Sequence, residues 1–370
     1  MVTMGLLERT LSPAPLESNP GLCLRLRHKK SGCQLCRDNC PTNAISIDES
    51  LHVERARCHG CGICVNVCPT GVFELKQLCY EELLGQVEAG ATPGFTCSLW
   101  PQEETSLPVP CIGYLNEAVF IGMAASGSNS AELNLSHCKN CDYATGMATI
   151  TKSLERTNHI LSMFSPPREV RTRIIKTDHS YTPDENRSYS RREFFTHLRE
   201  EIQSRGEAAI EVLSDNQKVA VNTRVMLEPR LPKKRRLLLR QMEKLGTAAT
   251  TQARADKLPF AEVQINDDCN GCRMCATFCP TGALRTYDDN GKQVIDFATA
   301  HCLACNLCAD ICPKGALTYA VDVRLQDILS GTRRKVAVHE KATCARCGQG
   351  YIDVAGDTWC PPCRKKEVRW

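Results

Sequence analysis

The sequence predicts a multidomain α+β protein, and three observations carry that prediction. One cysteine-rich unit recurs four times, as two pairs far apart in the chain. Between the pairs the cysteines change spacing and follow apolar, strand-like runs, and after the second pair come two C-x2-C knuckles. A chain of 370 residues is several times the size of one small cysteine-centred module, so several domains are expected. They are placed at 1–22 (N-terminal extension), 23–87 (first cysteine-rich module), 88–165 (a small α/β cysteine domain), 166–258 (linker and helical connector), 259–325 (second cysteine-rich module) and 326–370 (a two-knuckle ribbon).

Cys58, Cys61, Cys64 and Cys68 before Pro69 spell C-x2-C-x2-C-x3-C-P, as do Cys302, Cys305, Cys308 and Cys312 before Pro313. Cys269, Cys272, Cys275 and Cys279 before Pro280 repeat the spelling, and Cys33, Cys36 and Cys40 before Pro41 form a variant of it. Three thiolates in one tight loop can grip three corners of a four-iron cubane, while the fourth, carried off by the following turn, reaches the neighbouring cluster. Structural zinc also favours C-x2-C knuckles, but it uses two pairs and leaves blocks of four closing with proline unexplained. The letters CPTNAISI, CPTGVFEL, CPTGALRT and CPKGALTY are four copies of one pattern. Proline cannot continue a short helix, and the small residues after it turn the chain into a strand.

On these residues the chain resembles the bacterial-type two-cluster (2[4Fe-4S]) ferredoxin family twice, over about 24–78 and 262–322. The resemblance implies two dicluster ferredoxin-like modules, each a pseudo-twofold α+β sandwich, with four [4Fe-4S] clusters in all. Carried onto this sequence, the family's crossed ligation assigns Cys269, Cys272, Cys275 and Cys312 to one cubane, and Cys302, Cys305, Cys308 and Cys279 to the next. Cys58, Cys61, Cys64 and Cys40 make the regular site of the first module. Its other site departs from the pattern, because Lys30 stands where the first ligand is due. Cys23, reached by a loop longer by the seven residues LRLRHKK, is expected to complete the quartet with Cys33, Cys36 and Cys68. A three-iron cluster is the alternative. Arg25, Arg27, His28, Lys29 and Lys30 of that loop would then lie against an anionic cluster, where positive charge favours the reduced state.

The middle cysteines, Cys97, Cys111, Cys138 and Cys141, are spaced C-x13-C-x26-C-x2-C. FTC, LPVPC and AELNLSHC read as strands and NEAVFIGMAAS as a helix, so each cysteine closes a strand, where α/β folds place ligand sites. With the C-x-G turn at Cys111 and the terminal pair before Tyr143, the pattern resembles the iron-sulfur delta subunit of methyl-viologen-reducing hydrogenases. That resemblance implies one further cluster; structural zinc and unligated core cysteines remain the alternatives. Cys79 in QLCYEELL is expected to be a buried helix residue. A helix is predicted from Met147, its apolar residues at steps of three and four. Residues 166–188 are proline-rich and charged and read as a linker. Two connector helices follow, at about 191–205, where Ser190 and Glu193 suit a capping box, and at about 232–245, between Pro232 and Gly246. The run Lys233, Lys234, Arg235 and Arg236 is expected to be a solvated face or partner dock, since no interleaved aromatics offer a stacking surface for nucleic acid.

Cys344, Cys347, Cys360 and Cys363 are spaced C-x2-C-x12-C-x2-C. Two such knuckles suit one tetrahedral metal, with Zn2+ the expected occupant and a rubredoxin-like iron site the alternative, giving a zinc-ribbon-like segment. Aromatics are only 5% of the chain, which fits modules whose metal sites supply folding free energy. Twenty-five cysteines at this spacing require thiolates, hence a reducing, cytoplasmic setting. No stretch approaches the length of a membrane span. The formal charge of +4 counts cysteines as neutral, and four oxidised cubanes at about −2 each would reverse it.

These resemblances imply a multi-cluster electron-transfer subunit that is not itself an enzyme. It would relay single electrons between a large catalytic oxidoreductase subunit, hydrogenase- or molybdopterin-type, and a second carrier. No membrane insertion is expected, and peripheral association with a membrane complex stays compatible. The alternative is a redox sensor that binds nucleic acid or a protein through its ribbon and basic helix. No Rossmann or Walker motif occurs, and no cysteines have the C-x3-C-x2-C spacing of radical enzymes activated by S-adenosylmethionine.

Overall fold

The computed structural model describes residues 15–175 and 228–367, apart from 77, 90–93, 99–105, 129, 136–137, 139–140, 142 and 354–355. The first module runs β1 (Leu16–Ser18), α1 (Leu24–Arg27), α2 (Leu35–Asp38), β2 (Ile45–Ile47), β3 (Leu51–Val53), α3 (Ile63–Val67) and β4 (Phe73–Leu75). Both proline-closed units become strands as expected, each with two apolar residues buried around one exposed polar residue: Ile45 and Ile47 around Ser46, Phe73 and Leu75 around Glu74. β2 and β3 form an antiparallel hairpin, and β4 pairs with β1. The predicted boundary after residue 22 therefore falls inside the module. An unpaired β4 would leave a row of backbone groups open, and residues 16–18 satisfy them, with Asn19 N donating to Val72 O at 2.8 Å.

The next stretch contains α4 (Tyr80–Glu88), β5 (Gly94–Cys97), β6 (Ser106–Val109), α5 (Glu117–Ala125), β7 (Ser130–Asn134), α6 (Thr145–Leu161) and β8 (Arg171–Ile175). The strands make one parallel sheet in the order β6-β5-β7-β8. β8 corrects the linker reading from 166. The strand lies at the sheet edge, where the exposed Arg171 is tolerated, so the α/β unit extends past its predicted end at 165. Cys79 is likewise not inside its helix but at its N-cap, in a capping box with Glu82. This unit is fused to the first module. Asn66 of α3 is buried and donates to Gly113 O at 3.0 Å and Leu115 O at 2.7 Å, while the Tyr80 and Tyr114 rings stack at 4.5 Å.

The connector helix predicted at 191–205 lies outside the described residues. α7 (Lys233–Glu243) stands where the second was expected, after Pro232 and before Gly246. Leu237, Leu238 and Met242 bury its apolar side in the same core as α5. Then follow β9 (Gln252–Arg254), β10 (Val263–Ile265), α8 (Met274–Thr277), β11 (Leu284–Asp289), β12 (Lys292–Ala298), α9 (Leu307–Ile311), β13 (Leu317–Tyr319), β14 (Asp322–Arg324), α10 (Leu325–Ser330), β15 (Arg333–Thr343), β16 (Gly350–Ile352) and α11 (Pro361–Glu367).

The second module repeats the first. β10 and β13 pair as β1 and β4 do, and β11 and β12 form the equivalent of the β2–β3 hairpin. Two predicted boundaries are again crossed by strand pairs. β9 pairs with β14 across residues 258/259, and β12 pairs with β15, which goes on to pair with β16. β11-β12-β15-β16 is thus one four-stranded sheet shared by the module and the C-terminal knuckles. Cysteine spacing marks where ligands lie, but carries no signal for strands that serve two neighbours at once.

Candidate metal centres

None of the 25 cysteines is in a disulfide. In the second module Cys269 lies with Cys272 and Cys312, and Cys275 with Cys269 and Cys272; burial raises the pKa of Cys269 and Cys275, and these neighbours add to the rise. Cys302, Cys305 and Cys308 lie together with Cys279. In the first module Cys58, Cys61 and Cys64 gather around Cys40. Cys33 and Cys36 gather with Cys68 and with Cys23. Cys23, from outside the cysteine-rich loops, is thus within electrostatic reach of Cys33 and Cys36. Within each module the two groups lie within electrostatic reach of each other, Cys36 raising the pKa of Cys64 and Cys308 that of Cys275.

Three of the four loops share a backbone device. The second residue after the first cysteine and the first after the second cysteine have positive φ: Gly60 and Gly62, Gly271 and Arg273, Ala304 and Asn306. Left-handed residues so close together curl the loop and gather its N–H groups, a concavity suited to anions. Backbone N–H groups two residues on bond the thiols of Cys58, Cys61, Cys269, Cys302 and Cys305. The fourth loop, which lost its first cysteine to Lys30, has no positive φ between residues 30 and 36. Cys23 sits instead at the head of α1, where the N–H groups of Leu26 and Arg25 partly offset the rise that burial imposes on its pKa.

The proline-closed units add a second set of donors. Ala44, Val72 and Ala316 each donate a backbone N–H to the thiol four residues earlier, Cys40, Cys68 and Cys312, at 3.3 to 3.4 Å. At Cys279 the corresponding Ala283 N–H goes to Thr281 Oγ1 at 3.4 Å. Burial pushes Cys36, Cys275 and Cys302 up to about 12 and Cys61 and Cys308 to about 11, with neighbouring thiols adding to the rise. Such thiols ionise when a cation takes the proton's place. Quartets of thiols that are mostly buried or half-buried, with only Cys272 exposed, and offered N–H donors are a donor set that fits iron-sulfur cubanes.

The middle cysteines also converge. Cys97, Cys111, Cys138 and Cys141 line one small cavity together with Gly146, Met147 and Ile150 at the start of α6. Burial raises Cys111 to about 12 and Cys138 to about 11. Gly113 N and Tyr143 N donate to Cys111 Sγ and Cys141 Sγ at 3.4 and 3.3 Å, so the C-x-G turn has a role. Cys111 also feels Cys61 of the first module. The C-terminal group is tighter: the ligand atoms of Cys344, Cys347, Cys360 and Cys363 all lie within 4.8 Å of one another. The 3.7 Å between Cys347 Sγ and Cys360 Sγ is close to the ~3.8 Å edge of a tetrahedron with metal–sulfur bonds of about 2.3 Å. Burial opposes ionisation of Cys344, but the N–H groups of Cys360, Cys347 and Arg346 hold it down to about 6.

Sequence reasoning misplaced the cations. Of the basic run on α7, only Lys233 and Arg236 are exposed. Arg235 is buried, and the Lys234 ammonium turns inward to Asn66 O at 2.7 Å. Lys234 lies near Cys68 and Arg235 near Cys302. Arg27 was expected beside its own cluster loop, yet it is buried against the other module, donating to Phe278 O at 2.9 Å and Cys279 O at 3.4 Å. The available signal was the amphipathic placement of Leu237, Leu238 and Met242, which turns Lys234 and Arg235 towards the protein.

No curated protein matches the chain. Residues 31–77 and 268–316 each match the family model of the 4Fe-4S dicluster domain. The first match begins at Ser31, so Cys23 and its helix lie outside it. Two crossed pairs of thiol quartets on one repeated fold coincide with the two matches, and the chain therefore carries two 4Fe-4S dicluster domains of the ferredoxin-like kind.

Proposed function

We propose that this protein is a multi-cluster electron-transfer subunit, relaying single electrons between a catalytic oxidoreductase subunit and a second carrier. The observation that carries this reading is that the thiol groups lie within electrostatic reach of one another: Cys36 of Cys64, Cys308 of Cys275, and Cys61 of Cys111. Cubanes at the dicluster sites supply reversible one-electron storage. The protein's own part is to bury the thiolates, aim N–H donors at them and hold neighbouring sites close. Cys97, Cys111, Cys138 and Cys141 would hold a fifth iron-sulfur cluster, and Cys344, Cys347, Cys360 and Cys363 one Zn2+. A nucleic-acid regulator would need its basic helix face outside, whereas Lys234 and Arg235 are turned inward.

Anaerobic purification of the full chain tests this. Iron and acid-labile sulfide should be present in equal amounts, enough for four cubanes and a further cluster, with one zinc. Dithionite should bleach the visible absorption and give [4Fe-4S]+ signals by electron paramagnetic resonance (EPR). A colourless protein holding only zinc would overturn the reading.

A further inference from the structure

The two dicluster domains could be separate stores or parts of one path. What decides is where they meet. Leu24 of α1 is buried with Leu307 and Ile311 of α9, and the same apolar group includes Cys33 of the first module and Cys305 of the second. Cys33 and Cys305 also line one cleft between the modules, which Lys234 and Arg235 line too. His28 packs edge-on against Phe278 at 4.8 Å, and Arg27 Nε donates to Phe278 O. The inserted helix that brings Cys23 to the first module is therefore also the contact with the second.

Three cations are built into this junction. Arg27 reaches the backbone of Cys279, Lys234 holds Asn66 O two residues before Cys68, and Arg235 stacks on Phe260 at 3.9 Å and bonds Pro259 O. The Nη1 of Arg235 is buried with no hydrogen-bond partner among the described residues. Adjacent residues of one helix thus offer one cation to each side, Lys234 to the group of Cys68 and Arg235 to the group of Cys302. An uncompensated buried cation is costly, and an anionic cluster on each side would offset that cost.

We propose that electrons cross between the modules at one point, between the site of Cys23, Cys33, Cys36 and Cys68 and the site of Cys279, Cys302, Cys305 and Cys308, with Arg27, Lys234 and Arg235 as its positioning residues. The inference rests on the relay reading above. The step moves one electron from a reduced site to an oxidised one, with no bond made or broken. Positive charge fixed near both sites stabilises their reduced forms relative to the outer sites, so the two modules meet at a pair of matched stations.

The test is an EPR-monitored redox titration of the full chain carrying Lys234→Gln, Arg235→Gln or Arg27→Gln, with iron content measured on each. Lys234→Gln should make one cluster harder to reduce by roughly tenfold in the reduction equilibrium, and Arg235→Gln a different cluster. Arg27→Gln should move the same cluster as Arg235→Gln. Lys233→Gln and Arg236→Gln, exposed on the same helix, should move none, and Lys234→Arg and Arg235→Lys should restore the wild-type values. Unchanged potentials in iron-replete variants would overturn the junction and leave the relay reading standing; wild-type protein without cubanes would overturn both. Dipolar EPR of the fully reduced wild-type chain needs no variant and should link the clusters of the two modules. A spectrum that separates into independent groups, one per module, overturns the crossing.

Discussion

Cys23 stands outside the family match, yet its thiol gathers with Cys33, Cys36 and Cys68. Cys23→Ala should therefore convert that site to a three-iron form or empty it, visible as a new EPR signal in the oxidised protein or a loss of iron. An unchanged spectrum and iron count would show that another group fills the position. Cys23 was legible because the pattern was one ligand short and one cysteine lay within reach. The inward turn of Lys234 and Arg235 was harder to foresee. Four consecutive basic letters look alike, and which two face inward depends on the helix α7 packs against, a long-range fact. Cys79 was misread for a similar reason, since a capping box and a buried helix position both suit a cysteine just before an acidic, apolar run.

At the scale of elements, the four proline-closed units were readable because the same local chemistry recurs: a short helix, a proline stop, then a strand that buries two apolar residues in the first module and one, Leu284 or Leu317, in the second. The strands that complete the sheets were not. β1, β8 and β15 each look polar or irregular alone, and each pairs with a strand whose backbone would otherwise be open. Backbone meets backbone closely at Gly113 and Gly146, where a Cβ on Gly113 would lie 2.6 Å from the Gly146 Cα. Backbone cannot yield there as a side chain can. Gly113→Ala should cost about 1 to 3 kcal/mol and lower the melting temperature. Because Gly113 N donates to Cys111 Sγ, the middle site should also lose metal first on warming. A variant as stable as wild type, with its metal intact, would mean that the two turns move apart freely.

At the scale of the whole molecule, six modules in a row give way to shared cores. Residues 88–165 expressed alone lack β8, Asn66 and Tyr80, and should fail to give a cooperative unfolding transition by circular dichroism. A stable isolated fragment would contradict the fused core. The C-terminal site calls for a gentler probe than truncation near residue 340, because that cut runs through β15, where Lys292 pairs with Glu340. Cys344→Ser with Cys347→Ser should remove one metal equivalent and leave the reduced EPR spectrum in place, since the thiols of the C-terminal group are apart from the dicluster quartets. Loss of a high-potential iron signal would instead make it a rubredoxin-like site.

The breadth of the first core has a consequence for how the protein is made. Phe73, Phe95 and Phe120 share that core with Phe260, Leu325 and Ile328, far later in the chain. A ribosome delivers the first eleven-odd dozen residues, cysteines included, well before their last packing partners exist. The early thiols must wait, partly uncovered, while the rest of the chain is synthesised, and long-range closure of this kind is slow. Closure of this core therefore waits until α10 has left the tunnel.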